Sequence, residues 1–331
     1  MKRFLLIIIA IAAISACKND KTALLPNVSG KAGEIIVVID KEDWEGSLGG
    51  SVRELLASDC PYLAQQEPLY SLVNVTPSAF TELFKVHRNI IIFNVNPQID
   101  SAGILYKHNA WARPQCVIQI SGRDSEEVLG ILDEKKANVL NSFEQAERDR
   151  VIANSIRYEE TAVTNNVKEV FGGAPHIPIG YKLRKITDDF AWIEDNKQFS
   201  TQGVFIYRCP VSDEEPFTEE KIVERRNEAL KVNVPGMLDN TWMTTSMSFP
   251  IQTQYIKYRG RHIAELRGYW EVQNDYMGGP FVSHSFYSED GSEIYVLEAW
   301  VYAPKYDKRQ YLRQTESILY SWEWNDKEKE N

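Results

Sequence analysis

Three carboxylates in the second half of the sequence lie beside aromatic and basic side chains. In HIAELRGYWEV, a period-two alternation places one polar and aromatic set on a single strand face: Glu265, Arg267, Tyr269 and Glu271. The same alternation in IYVLEAWVY places Glu298 on one face with Trp300 and Tyr302. A carboxylate among aromatic rings can accept a hydrogen bond from a sugar or peptide ligand, or act as an acid of raised pKa.

These residues predict either a binding face or the acid and base of a hydrolase. The binding candidates are Arg267, Tyr269, Trp300 and Tyr302, and the catalytic candidates are Glu265, Glu271 and Glu298. Hydrolysis of a glycoside requires two carboxylates about 5 to 10 Å apart in an open groove. More often such a carboxylate is structural and pairs with an arginine on a neighbouring strand, and Arg267 is a plausible partner of Glu298 if their strands are adjacent.

A different chemistry is indicated by Cys17 in AAISACKND, which follows an apolar run and precedes a charged stretch. Lys2 and Arg3 precede the apolar residues 4–14, a run shorter than the roughly 20 residues of a membrane span and typical of a secretory signal. ISAC resembles the lipobox of bacterial lipoproteins, in which the cysteine sulfur receives a diacylglycerol and cleavage follows before it. The alternative is an ordinary signal with an incidental cysteine.

We therefore expect a signal peptide over residues 1–16 and a lipidated tether over 17–29. Two or three acyl chains such as palmitate hold a protein stably in a bilayer, because each buried methylene contributes about 0.8 kcal/mol. The predicted partner is thus the lipid bilayer, through acylated Cys17. No second apolar run approaches spanning length, so the rest of the chain is expected to be a soluble body.

Three further cysteines remain once Cys17 is acylated: Cys60, Cys116 and Cys209. An odd number allows at most one bridge within the chain, and no CxxC pair is present. Cys116 begins CVIQI and Cys209 ends VFIYRC, where both resemble small apolar residues of strands. We expect buried free thiols, with one disulfide as the alternative.

Composition and motifs exclude several function classes. The formal net charge of −10 argues against nucleic-acid binding, which needs a basic face. The five histidines show no HExxH pattern, so no metal site is expected. Gly30 and Gly33 precede the first strand, whereas a phosphate loop must follow one, and the strand is followed by acidic residues that repel phosphate. No GxSxG is present, so a common serine nucleophile is not predicted either. We expect no cofactor.

The order of the elements predicts an α+β protein. Residues 30–172 alternate apolar strands with helices, as in GEIIVVID, NIIIFNV and CVIQI, which indicates an α/β layer with a partly parallel sheet. The glycine- and proline-rich FGGAPHIPIG marks a boundary. Residues 173–331 predict a mainly antiparallel sheet with helices packed on one side. Its expected strands are 181–186, 203–207, 241–258, 262–272, 281–287 and 294–302, and its expected helices are 218–232 and 307–322.

A basic cluster opens the last predicted helix, and its members are Lys305, Lys308, Arg309 and Arg313. It predicts either a solvated helix face or a contact with lipid headgroups, cell-wall carboxylates or an acidic partner.

Several stretches behind the lipobox are similar to one family: GKAGEIIVVIDKEDW, LFKVHRNIIIFNV, NAWARPQ, GGPFVSHSFY and VYAPKYDKRQYLRQTESIL. Over nearly the whole mature chain they resemble an uncharacterised family of Bacteroidetes lipoproteins, domain of unknown function 4837. The resemblance implies a cell-envelope lipoprotein of the outer membrane, facing the periplasm or the cell surface. It implies no activity and no catalytic residues.

The leading hypothesis is a non-enzymatic envelope module that binds or scaffolds an envelope protein or glycan through the antiparallel half. A first alternative is an envelope hydrolase acting on glycan or peptide. A second is a factor for the maturation or trafficking of lipoproteins, which should contain an apolar cavity of acyl size.

Overall fold

The computed structural model describes residues 24–325, and the predicted signal segment and Cys17 lie outside them. Its first sheet has five strands: β1 (Glu34–Val38), β2 (Ser71–Val75), β3 (Asn89–Val95), β4 (Gly103–His108) and β5 (Cys116–Gly122). They lie in the order β2-β1-β3-β5-β4, and all neighbours are parallel except β4 with β5. β1 is apolar throughout its buried length because this central strand is covered on both faces. The predicted partly parallel sheet is confirmed.

Helices flank this sheet. They are α1 (Lys41–Glu45), α2 (Ser47–Leu56), α3 (Glu82–Lys85) and α4 (Ser125–Arg157), with a 3-10 turn over Pro77–Ala79. The Asp124 side chain caps α4 by accepting from the Glu127 amide, a contact that contributes about 1 kcal/mol. α4 has 33 residues and is therefore about 50 Å long. It extends beyond the first sheet and reaches the second half.

The boundary segment begins where α5 (Thr161–Phe171) ends. Gly172 has a φ of 68°, the left-handed conformation that closes many helices. The next two residues form β6 (Gly173–Ala174), which pairs with β15 (Glu323–Trp324) near the end of the described chain. This pairing ties the boundary segment to the C-terminal region.

The second sheet is antiparallel throughout. Its eight strands are β7 (Lys182–Ile186), β8 (Phe190–Lys197), β9 (Ser200–Pro210), β10 (Met243–Thr245), β11 (Gln252–Tyr258), β12 (Arg261–Val272), β13 (Gly278–Tyr287) and β14 (Glu293–Tyr302). The order is β10-β12-β13-β14-β9-β8-β7, with β11 also paired to β12. Arg259 and Gly260 join β11 to β12 with φ values of 47° and 83°, which suits a two-residue hairpin. The α+β class is confirmed.

Helices cover both faces of the second sheet, so the expectation of helices on one side is wrong. α6 (Glu219–Asn233) packs Ile222 and Leu230 on one face. α5 and α7 (Arg309–Leu319) pack Val167 and Ile318 on the other. The reason lies in the central strands, since β13 and β14 are buried at nearly every position and both of their faces need an apolar cover.

Other differences are local. Gly46 separates the short helix α1 from α2, which follows it directly. β4 and β8 were not predicted from the sequence: β4 is a half-exposed edge strand without clear alternation, and β8 carries acidic residues. Among residues 24–325, no helix combines the length and apolar character that membrane spanning requires.

A charged cleft between the two halves

A cleft of about 590 Å³ lies where the two halves meet. Its walls are α4, α7, the β11–β12 hairpin and the segment that contains Cys60, Pro61 and Leu69. Because α4 follows the first sheet and the other elements belong to the second half or to a loop of the first, neither half forms this cleft alone. Its charged lining comprises Arg148, Lys257, Arg267, Arg309 and Arg313, with Glu144 and Glu316.

Glu144 and Arg313 join α4 to α7 on the wall of the cleft. Arg313 Nη2 lies 2.9 Å from Glu144 Oε1, and the Tyr70 hydroxyl donates to the same oxygen at 2.7 Å. The Arg313 guanidinium also lies 4.6 Å from the centre of the Tyr70 ring. Burial favours a raised pKa for Glu144, but the Arg313 charge and the two hydrogen bonds outweigh it and hold that pKa below its ordinary value.

Arg267 is fixed by two carboxylates. Its Nη2 and Nη1 bind the Glu316 oxygens at 2.5 and 3.2 Å, and its Nε donates to Glu265 Oε1 at 2.7 Å. The predicted partner Glu298 is not among them.

Glu265 lies fully buried behind Arg267. Gln254 Nε2 donates to it at 2.6 Å, the Tyr320 hydroxyl donates at 3.0 Å, and His284 Nε2 lies 3.0 Å away. Burial works to raise its pKa, but the Arg267 charge and the contacts with His284 and Gln254 hold the pKa well below its ordinary value. Glu265 is therefore an ionised structural anchor and not a poised acid.

Glu298 lies on the opposite face of the sheet from Glu265. Arg226 of α6 binds it with two hydrogen bonds of 2.8 Å, and both side chains are fully buried. Glu298 does pair with an arginine, but with one on a helix; the pairing with Arg267 required adjacent strands, and β13 separates β12 from β14. In the register, Ser283 lies opposite Glu298 and His284 opposite Glu265, so the two carboxylates point to different sides. Burial raises the pKa of Glu298, and the Arg226 charge opposes the rise.

The candidate carboxylates do not form a catalytic pair. Glu265 and Glu298 are separated by the sheet, and both are held in ion pairs. Glu271 shares a face with Glu265 but lies six residues further along β12, which corresponds to about 20 Å. This arrangement does not satisfy the spacing that glycoside hydrolysis requires.

The four predicted binding residues are likewise divided. Arg267 lines the cleft. Tyr269 stacks on Phe249 with ring centres 4.3 Å apart, outside the cleft lining. Trp300 is buried on the other face, stacked on Phe205 at 5.4 Å, and Tyr302 lies on the same side. They do not form one binding face, because alternation assigns odd residues of β12 and even residues of β14 to opposite sides.

The basic cluster of α7 is not a solvated face. The Lys308 and Arg309 amides donate to the buried Glu67 at 2.7 and 2.8 Å, and Lys308 Nζ donates to Gln65 Oε1 at 3.0 Å. Arg313 is the partner of Glu144 described above. These contacts fasten α7 to the loop before β2, so the expectation of a solvated face is wrong for these three residues.

Sequence reasoning missed Arg148, Tyr320 and Glu144 as parts of this cleft. Arg148 lies over the Tyr320 ring, with its guanidinium carbon 3.6 Å from the ring centre. Arg148 and Glu144 are one turn apart on α4, a spacing that places them on one helix face. That polar pair beside the buried stripe of α4 was the available signal, but nothing local indicated its partners on α7.

Cys60, Cys116 and Cys209 are free thiols, as expected, but only Cys116 is buried, whereas Cys60 and Cys209 are half-buried. Cys60 borders the cleft, and burial raises its pKa to about 11, which keeps it protonated and unreactive at neutral pH. Within residues 24–325, no three histidine, cysteine or carboxylate side chains are grouped as metal ligands.

The two halves match two different families. Residues 160–321 match the family described as Domain of unknown function (DUF4837), and residues 28–155 match the one described as Domain of unknown function (DUF8532). The resemblance to the first family is thus confirmed for the second half, whereas the first half matches another family. The two regions meet in the turn between α4 and α5, while the predicted division at 172 stays a prediction. No curated protein matches the chain.

Proposed function

We propose that this chain is a non-enzymatic binding protein of the cell envelope that holds its ligand in the cleft between its two halves. The observation that supports the cleft as the binding site is its construction. Both matched regions contribute walls, and the side chains of Arg267, Arg313 and Glu144 are fixed by their own contacts. A site whose groups are fixed before binding loses less conformational entropy when the ligand arrives.

The envelope location rests on the N-terminal sequence. A short apolar run behind two positive charges and the ISAC tetrapeptide support export and acylation of Cys17. In this proposal the bilayer of the outer membrane holds the acyl chains, and the folded body faces the periplasm or the cell surface. The ligand is a component of the envelope, either a glycan or part of a protein.

Binding is favoured over hydrolysis by the state of the carboxylates. Glu265 and Glu298 are both engaged by arginines, and the two lie on opposite faces of the sheet. The cleft also differs from the apolar acyl-sized cavity that a lipoprotein trafficking factor needs, because seven charged side chains line it.

The test uses a large side chain to fill the cleft. Asn141 lies on α4, is exposed and lines the cleft, whereas Asn138 is exposed one turn earlier outside that lining. Full-length protein is purified from envelopes in mild detergent, and native mass spectrometry measures the mass of any retained ligand. We expect Asn141→Trp to lose a ligand that the wild type and Asn138→Trp retain, and that ligand to be chemically unchanged after incubation with fresh protein.

Retention by Asn141→Trp equal to that by Asn138→Trp would contradict the proposal, as would a wild-type protein that retains nothing. Conversion of the ligand during incubation would instead favour the hydrolase.

A further inference from the structure

The cleft is basic although the whole chain is acidic. Five cationic side chains line it against two carboxylates, while the chain has a formal net charge of −10. A concave site lined by one sign of charge concentrates ligands of the opposite sign. The cleft is therefore electrostatically distinct from the rest of the molecule.

Two of the five cations are already neutralised. Arg267 is shared by Glu265 and Glu316, and Arg313 is paired with Glu144. In the described part of the chain, Arg148, Arg309 and Lys257 form no ion pair, although Arg148 lies near enough to Glu144, and Arg309 near enough to Glu67, for their charges to interact. These three charges remain available to a ligand.

Arg148 and Arg309 are oriented without being neutralised. The Tyr320 ring supports the Arg148 guanidinium from one side, and Arg148 Nη1 donates to Gln145 Oε1 at 3.0 Å. Arg309 donates from Nη1 to the Pro68 carbonyl, and its Nε is buried with no hydrogen-bond partner among residues 24–325. Desolvation lowers the pKa of Arg309, and the nearby Arg313 charge adds to this effect. Nη1 is thus the only Arg309 side-chain nitrogen with an acceptor among residues 24–325, and an oxyanion in the cleft would give this guanidinium the further acceptors that it lacks.

We infer that the ligand of this cleft has an oxyanion group, a carboxylate or a phosphate, and that Arg148 and Arg309 bind it. Guanidinium groups suit this chemistry because their planar donors match the paired oxygens of both anions. This inference rests on the proposed function and specifies the chemistry of its ligand.

The test is isothermal titration of the purified chain with pyrophosphate and, separately, with citrate. The variants are Arg148→Gln and Arg309→Gln. The control is Arg157→Gln, because Arg157 also lies on α4 and also stacks on a tyrosine, Tyr158, but is exposed outside the cleft. All three variants lose one positive charge, so a general charge effect on binding is the same in each.

We expect the wild type to bind at least one probe at a single site. Arg148→Gln and Arg309→Gln should weaken the affinity at least about tenfold, since each removes a charge-assisted contact, and Arg157→Gln should leave it within about twofold. The probe that binds with the higher affinity shows whether the cleft prefers a phosphate or a carboxylate group. Arg148→Lys retains the charge but not the planar fork, so it should bind with intermediate affinity. Thermal melting of each variant verifies that it is folded.

Two results would overturn the inference. One is that neither pyrophosphate nor citrate binds to the wild type, and the other is that Arg157→Gln weakens binding as much as Arg148→Gln does. If either result is obtained and Asn141→Trp still loses a ligand that the wild type retains, the proposed function holds but the ligand is not bound through an oxyanion. Absence of any retained ligand refutes the proposed function itself, whatever the titrations show.

Discussion

Arg226 and Glu298 form a two-pronged ion pair across the interface of α6 and the second sheet, with no solvent exposure on either side chain. Arg226 Nη1 also donates to the Thr245 hydroxyl at 2.8 Å, and its guanidinium carbon lies 3.7 Å from the centre of the Phe281 ring. The geometry satisfies both charges, yet each charge depends on the other because water is excluded.

Removal of one partner should therefore be more damaging than removal of both. Arg226→Met should lower the free energy of unfolding by about 3–5 kcal/mol, because it leaves the Glu298 carboxylate buried without a counter-charge. The double variant Arg226→Met with Glu298→Leu should recover most of that loss. Urea denaturation followed by tryptophan fluorescence measures both, and a double variant less stable than the single one would contradict this account.

Glu265 should make the protein sensitive to acid. Its pKa is held below the ordinary value of 4.5, so the folded state binds fewer protons than the unfolded state. Its stabilising contribution is complete above the unfolded pKa and is lost as the pH falls toward the folded one.

The measurement is the urea midpoint as a function of pH, from about pH 7 downward. Glu265→Gln should show a shallower decrease below about pH 5 than the wild type, because the variant cannot take up that proton. Glu298→Gln should change the slope with the opposite sign, since burial raises the pKa of Glu298. Parallel curves for wild type and Glu265→Gln would contradict the assignment.

Two adjacent glycines of α2 should respond oppositely to alanine. A Cβ at Gly49 would lie 2.0 Å from the Trp44 carbonyl oxygen, whereas a Cβ at Gly50 meets nothing within 4 Å. Gly50→Ala should stabilise the protein by roughly 0.5–1 kcal/mol through helix propensity. Gly49→Ala should destabilise it by about 1–3 kcal/mol because the backbone must move. Thermal melting compares the two, and equal shifts would show that this packing is not maintained in solution.

Cys17 should be the site of acylation. Cys17→Ser should abolish incorporation of labelled palmitate and leave the uncleaved precursor, since the thioether requires the sulfur. Cys60→Ser is the matched control, as Cys60 is a partly buried free thiol of the folded body, and it should label as the wild type does. Normal labelling of Cys17→Ser would refute the assignment.

Local chemistry in the sequence determined many of the elements. The apolar run at 35–39 predicted β1, the pattern over 218–232 predicted α6, and the alternation in HIAELRGYWEV predicted which residues of β12 share a face. These features depend on the periods of strand and helix, which act over a few residues. A sequence therefore contains them without reference to distant segments.

Tertiary structure decided which charges meet. Alternation assigned Glu265 and Glu298 to faces of their own strands, but only the insertion of β13 between those strands set the faces opposite and gave Glu298 to Arg226, 72 residues away in the chain. The cleft likewise required α4 and α7 to pack side by side, with Glu144 and Arg313 separated by 169 residues. Strand order and helix docking depend on the apolar area that is buried when whole elements pack together. No local stretch of sequence determines that area, because it depends on segments that are distant in the chain.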